Sequence, residues 1–415
     1  GAATVERVVS PQGIEAWLIE DHTNPMLSVS FAFRGGAAHD PAGKEGLARM
    51  VSALLDEGAG DLDSQAFQRR LEDLAVRLGF SARRDTFRGR LRTLSKNRDA
   101  AFDLLRLAVT APRFDAEPIE RIRSQLIAGL KQDLEDPDRI ASLALIKRLF
   151  PDHPYGRTLR GTGESIGKIT AKDLRGFVKE RLARSDLLIG VVGDIRPGEL
   201  GALLDKTFMA LPKTGSAGAI RDVAPKSAGK TVVIRKPIPQ SAIVFAQAGL
   251  KRDDPDYYTA IVLNHILGGG GFTSRLYLEV REKRGLAYSV GTGLVPMEHA
   301  GLLWGTAGTA SARTEETLKL IRDEWRRMAR AGVSVEELAE AKRYLTGSFP
   351  LRFTSSDRIA AMLVSMQLYD RGIDYFDKRN TFIEAVTLDR INRLAKRLLN
   401  PDALSIVVVG DPKNI

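Results

Sequence analysis

The chain has 415 residues, 43% hydrophobic and 27% charged, a composition of globular rather than disordered protein. A single hydrophobic core does not usually extend over such a length, so two domains of about 200 residues are expected. The formal net charge of +10 would suit an acidic partner, an acidic peptide or nucleic acid, but the basic residues are dispersed and carry no zinc-finger or aromatic RNA-binding signature.

With no cysteine, disulfides, thiolate catalysis and cysteine zinc sites are excluded together. No run of apolar residues is long enough to span a membrane as a helix. The first residues, Gly1-Ala2-Ala3, read as the remainder of a processed leader or as an expression scar, and no signal peptide is recognisable. Further on, Leu27 to Phe33 alternates like a half-buried strand, and Gly46 to Leu55 follows as a helix. Phe67, Leu71, Leu74 and Leu78 recur at helical spacing, with Gly79 predicted to cap that helix. In DTFRGRLRTL, Asp85 to Leu94, alternation places Arg88, Arg90 and Arg92 on one strand face. Lining a chamber, they would favour acidic peptides; facing bulk water, they would be a solvated sheet surface.

PKTGSAGAIRDVAPKSAGK, Pro212 to Lys230, has the composition of a linker. The segments flanking it resemble each other. LLIGVVGD (Leu187 to Asp194) and LSIVVVGD (Leu404 to Asp411) agree at six of eight positions. SVSFAFRGGAAHDP and AIVFAQAGLKRDDP open the two halves alike. In the second half, Ala242 to Ala248 predicts a half-buried strand and Asp256 to Leu267 a helix. Ser334 and Glu337 form a capping box ahead of Leu338, Ala341 and Leu345. These features predict an α+β protein of two homologous α/β domains, residues 1–212 and 231–415, joined by a linker at 213–230.

Between the strand and that capping box lies ILGGGGFTSRLYLEVREKRGLAYSVGTG, Ile266 to Gly293. A P-loop needs a lysine that is missing after Gly268, Gly269, Gly270 and Gly271. The dinucleotide fingerprint should follow a strand, whereas IVLNHIL before the glycines reads as helix. The glycines alone need do no more than end one helix and loop into the next. SRLYLEVREKR predicts a helix with Leu276, Val280 and the stem of Arg284 on one side, ended by Gly285 and followed by the strand LAYSVGT. Arg284 at the helix end and Tyr288 on the strand are both hydrogen-bond donors. Together they could hold a peptide carbonyl or an oxyanion. Their plainer reading is a cation on helix-end carbonyls and a tyrosine at the core edge.

LGGGGFTSRLYLEVREKRGLAYSVGTG resembles the C-terminal-domain signature of the pitrilysin/insulinase-like zinc metallopeptidases, in the bacterial branch related to mitochondrial processing peptidase. HPYGRTLRGTGESIGKITAKDLRGFV (His153 to Val178) and VVGD (Val191 to Asp194) match the same family, so the resemblance covers nearly the whole chain. It implies two domains of one plan, each a mostly antiparallel sheet flanked by helices, that form half of a clam-shaped chamber. It also implies that Arg284 and Tyr288 bind the substrate backbone beside zinc, and that the glycine loop Gly268 to Gly271 with Phe272 contacts substrate.

The family's zinc centre is an inverted H-x-x-E-H motif on a helix of the first domain, with a glutamate further on as third ligand. This sequence has EGLARMVSALLDEGAG there. Aligned on GLA, the key positions hold Arg49, Ser52 and Ala53, and the third ligand falls on Ala128 or Gly129. An arginine, always charged, would repel the metal. Of the five histidines, His22, His39, His153, His265 and His299, none pairs with another at one-turn helical spacing.

The resemblance therefore implies a non-catalytic subunit with no metal of its own. Zinc is expected in a partner subunit of the same family, and the substrate is a peptide or unfolded segment. A proteolytically inactive scaffold or a peptide-binding homologue is the alternative. The periplasm is the expected compartment, with the cytoplasm as its alternative.

Overall fold

The computed structural model describes residues 4–226 and 229–415. Residues 1–3, read as a leader remnant or scar, lie outside the described residues, as do 227 and 228 of the expected linker. The chain forms two compact units, neither contiguous in sequence. Unit 1 comprises the chain up to Lys131, Thr158–Ala219 and Pro350–Asp377. Unit 2 comprises Gln132–Arg157, Ile220–Phe349 and Lys378–Ile415.

Unit 1 is built on β1 (Glu6–Val9), β2 (Glu15–Glu20), β3 (Met26–Arg34), β4 (Arg77–Ala82), β5 (Thr86–Leu94) and β6 (Leu187–Gly193). Their order across the sheet is β1-β2-β6-β3-β5-β4. Unit 2 is built on β7 (Thr231–Arg235), β8 (Gln240–Ala248), β9 (Ala287–Pro296), β10 (Gly301–Ala310) and β11 (Ser405–Gly410), in the order β7-β11-β8-β10-β9. The one parallel pairing in each sheet joins the repeated sequence to its neighbour, β6 to β2 and β11 to β7; all other pairings are antiparallel. The repeat LLIGVVGD/LSIVVVGD thus occupies the same position in both sheets.

A packing detail repeats as well. The Phe31 ring on β3 lies over Gly89, its partner on β5, and the Phe245 ring on β8 lies over Gly305 on β10. A Cβ on either glycine would run into the ring, so each position requires glycine for close approach.

Two expectations need correcting. The strands at Leu27–Phe33 and Ala242–Ala248 are not half-buried; their interiors are buried on both faces. The cause is a helix supplied from far along the sequence. Ser356–Leu368 packs on β6 and β3, and Pro137–Leu149 packs on β11 and β8. Under the first helix Trp17, Ile19, Val192, Ala360, Leu363 and Met366 form a small core of their own. Gln367 also donates to the Ile189 carbonyl at 2.8 Å.

Gly79 does not cap the helix before it. That helix spans Ser64–Asp73 and ends at Leu74, while Leu78 and Gly79 lie in β4. Ala75, in the left-handed region at φ 52, makes the turn. The Val76 N–H donates to Leu71 O (2.9 Å) and the Ala75 N–H to Glu72 O (3.0 Å), a Schellman closure. Helical spacing carried across this turn by coincidence.

In unit 2 the helix predicted at Asp256 to Leu267 runs as Tyr257–Asn264 and widens into a π-turn at His265–Gly269. The capping box is present: Ser334 Oγ accepts from the Glu337 N–H (3.1 Å) and Glu337 Oε1 from the Ser334 N–H (3.0 Å).

Candidate functional site

The positions that the resemblance assigns to metal ligands lie in unit 1, on the helices Leu47–Leu54 and Ala116–Asp133. The first helix starts at Gly46, φ 96, and is capped by Asp40. The buried Asp40 carboxylate accepts the Gly46 N–H and the Ala48 N–H, both at 3.1 Å. Burial pushes its pKa up to about 7, opposed by those two N–H groups and by the nearby Arg181.

From this helix Arg49 Nη1 donates to the Arg160 carbonyl at 3.2 Å. Ser52 Oγ turns back to donate to Arg49 O at 2.6 Å, and Ala53 packs at the margin of the core. Just beyond, burial lifts the Asp56 pKa to about 6, and Glu57 pairs with Arg121 of the second helix at 2.8 Å. Ala128 is exposed on that second helix, and a Cβ at Gly129 would meet open space.

These residues do not fit zinc. The four positions offer a guanidinium held on a carbonyl, a hydroxyl spent on its own backbone, and methyl groups, where the metal needs imidazole and carboxylate. Elsewhere, among the described residues, no cluster of three or more histidine, aspartate and glutamate side chains could hold a metal.

The glycine run and the arginine–tyrosine pair lie in unit 2. The run is a packed turn more than an open loop at its start: Gly268 is buried, and a Cβ there would strike Thr292 of β9 and Leu276. Thr292 Oγ1 donates to Asn264 Oδ1 at 2.8 Å, tying β9 to the end of the preceding helix. The run then opens outward, and Phe272 is 74% exposed with its ring edge-on to Tyr277, centroids 5.0 Å apart. The helix predicted over SRLYLEVREKR is mostly a π-helical turn, Tyr277–Glu282, with Leu276 before it and Val280 within it buried; it is C-capped by Lys283, and Gly285, φ 59, lies beyond the turn.

Arg284 stands half-exposed in the turn that follows, 3.8 Å from the carboxylate of Glu279. Glu279 is itself largely buried and pairs with Lys283 at 2.7 Å. Lys283, Arg327 and Arg284 hold its pKa below the usual carboxylate range. Tyr288 is the extra residue of a β-bulge: Gly308 pairs with Ser289 and Thr309 with Ala287, so Tyr288 has no partner across the strand. The bulge lays its ring over Gly308, where a Cβ would collide with the ring and the hydroxyl, and leaves the side chain 52% exposed. Asp40, Glu279 and Gly308 were not legible as supporting residues in the sequence, since each acts through a contact that only the fold creates.

Residues 16–163 match the family model described as insulinase, peptidase family M16. Residues 168–345 match the model described as the peptidase M16 inactive domain. Fold and site together define a peptidase fold that has lost its metal ligands. A peptidase M16 inactive domain from Pseudomonas fluorescens, solved by crystallography, superposes with a TM-score of 0.92 at 32% identity, over 99% of this chain and 98% of that one. The non-peptidase homolog YmxG of Helicobacter pylori is 27% identical over 398 residues, 95% of this chain and 91% of that protein. A Bacillus subtilis relative, named uncharacterized zinc protease YmxG, is 22% identical over 404 residues, 97% of this chain and 98% of that protein. The chain belongs to peptidase family M16, as a non-peptidase member.

Proposed function

We propose that this chain is the substrate-binding subunit of a heterodimeric zinc metallopeptidase, whose partner subunit, of the same family, carries the zinc. The observation that carries the reading is an asymmetry of upkeep. At the metal positions the side chains are turned to structural use, whereas Arg284 and Tyr288 stand exposed on supports made for them. A bulge that unpairs a strand residue and a glycine that makes room for its ring have little value to a scaffold.

In this reading Arg284, with its fixed fork of donors, holds the carbonyls of a peptide or unfolded segment. Tyr288 donates its hydroxyl proton in a hydrogen bond to the carbonyl oxygen as negative charge develops on it. The partner's metal supplies the activated water. One such donor contributes about 2.7–4 kcal/mol to lowering the barrier. Gly268 to Gly271 and Phe272 guide the peptide, Phe272 by packing against an apolar side chain. No helix among the described residues is long and apolar enough to cross a membrane. We place the pair in the periplasm, which fractionation of cells expressing the tagged native protein tests.

The test of the whole reading is a mixing experiment. The purified chain is expected to hold no stoichiometric zinc by elemental analysis and to cleave nothing in a fluorogenic peptide library. Mixed with a zinc-motif M16 subunit from the same cell, it is expected to form a complex that cleaves. Stoichiometric zinc in the lone chain would overturn the reading, as would a partner equally active without it.

A further inference from the structure

The arginine stripe of β5 has a setting that its sequence could not show. Arg88 and Arg92 are partly buried and Arg90 is exposed, but the three do not stand on a flat sheet. They line a cavity of about 980 Å³ in unit 1, together with Arg77, Arg83 and Arg358. Register places Arg77 and Gly79 of β4 beside Arg92 and Arg90, and Ser28 and Ser30 of β3 on their other side. The Ser356–Leu368 helix packs on β6 and β3, and its first turn supplies one wall through Asp357 and Arg358.

Three features argue against a merely solvated surface. First, the charge is unbalanced: six arginines share the cavity with three acids, Asp56, Glu72 and Asp357. Asp357 already accepts from Ser28 (2.6 Å) and lies 3.5 Å from Arg92, and burial raises the Asp56 pKa to about 6. Second, Arg77 and Arg92 are direct partners across the β4–β5 pair, an arrangement that like charges make unfavourable. Third, the Arg90 guanidinium lies over Gly79, the one position on β4 with no side chain to occupy the floor of the cleft.

We propose that this cleft is a binding site for an acidic peptide segment in extended conformation. Arginines two residues apart on a strand are about 7 Å apart, which is also the spacing of alternate side chains in an extended peptide. Each guanidinium can then meet one carboxylate as a charge-assisted pair. Single-stranded nucleic acid has the right charge but relies on exposed aromatic faces for stacking. The aromatic side chain in this lining is Phe80, whose ring is taken up by Phe31 and Phe87 in the core. The site depends on neither Arg284 nor Tyr288, so its failure leaves the subunit reading standing, and the reverse also holds.

The full chain, without a partner, is titrated against labelled peptides of about ten residues that alternate Glu with Val, and against Gln–Val twins, with fluorescence anisotropy as the readout. The Glu peptide is expected to bind at least about tenfold tighter than its Gln twin and to weaken as salt rises. Arg88→Ala and Arg90→Ala are each expected to lower that affinity by about tenfold, and Arg90→Lys by less, because a point charge replaces the fork. Thermal melts matching the parent chain show that these variants fold. Equal affinity for both peptides, no binding of either, or Glu-peptide binding unmoved by Arg90→Ala would overturn the proposal. Tighter binding of a thymidine oligonucleotide with the same arginine dependence would overturn it too.

Discussion

Asp40 shows how a single side chain can hold the start of the helix Leu47–Leu54. Its carboxylate takes two backbone N–H groups at the start of Leu47–Leu54, yet burial keeps its pKa up at about 7, well above the ordinary aspartate value. Between those two values the folded chain binds more protons than the unfolded one. Stability from this group is therefore present in full below the unfolded pKa and lost as pH rises through about 7. Urea unfolding on either side of pH 7 is expected to show that decline. Asp40→Ala is expected to flatten it and to remove about 1 kcal/mol as a lost cap. Arg284 and Tyr288 could be singled out in the sequence because they sit inside a contiguous signature, and Arg49, Ser52 and Ala53 because they align on GLA. Gly308 was not legible: its role lies in the ring of a residue on the neighbouring strand.

Among the elements, those set by local chemistry were readable. The capping box at Ser334 and Glu337 formed as its spacing predicts, and the repeated strand β6/β11 took the same place in both sheets. The helix through Ser64–Asp73 ran too long in the sequence because Leu78 continues the apolar period beyond a turn made by an alanine. Ala75, exposed at φ 52, sits in a conformation that strains a Cβ. Ala75→Gly is expected to stabilise the chain by about 0.5–1 kcal/mol, read from the urea midpoint, since relief of that strain outweighs the entropy glycine adds to the unfolded state. The burial of β3 and β8 on both faces was hidden for a different reason. The helices that cover them lie about ninety residues or more away in sequence, and no local pattern reports such a contact.

At the scale of the whole molecule, that long-range exchange makes the compact units differ from the sequence halves. Unit 1 needs Pro350–Asp377 to cover Trp17, Ile19 and Val192. A fragment of residues 1–219 is thus expected to expose that apolar face and to aggregate or melt without cooperativity in circular dichroism. Co-expression with residues 220–415 is expected to rescue it; a monomeric, cooperatively folded 1–219 would show that the exchanged helix is dispensable. The central claim is that a chain without metal ligands still contributes Tyr288 to a reaction its partner performs. The most direct measurement is kcat of the reconstituted heterodimer carrying Tyr288→Phe, with assembly followed by gel filtration. The account predicts an intact complex whose kcat falls by about 10²–10³-fold. An intact complex with undiminished kcat would contradict it.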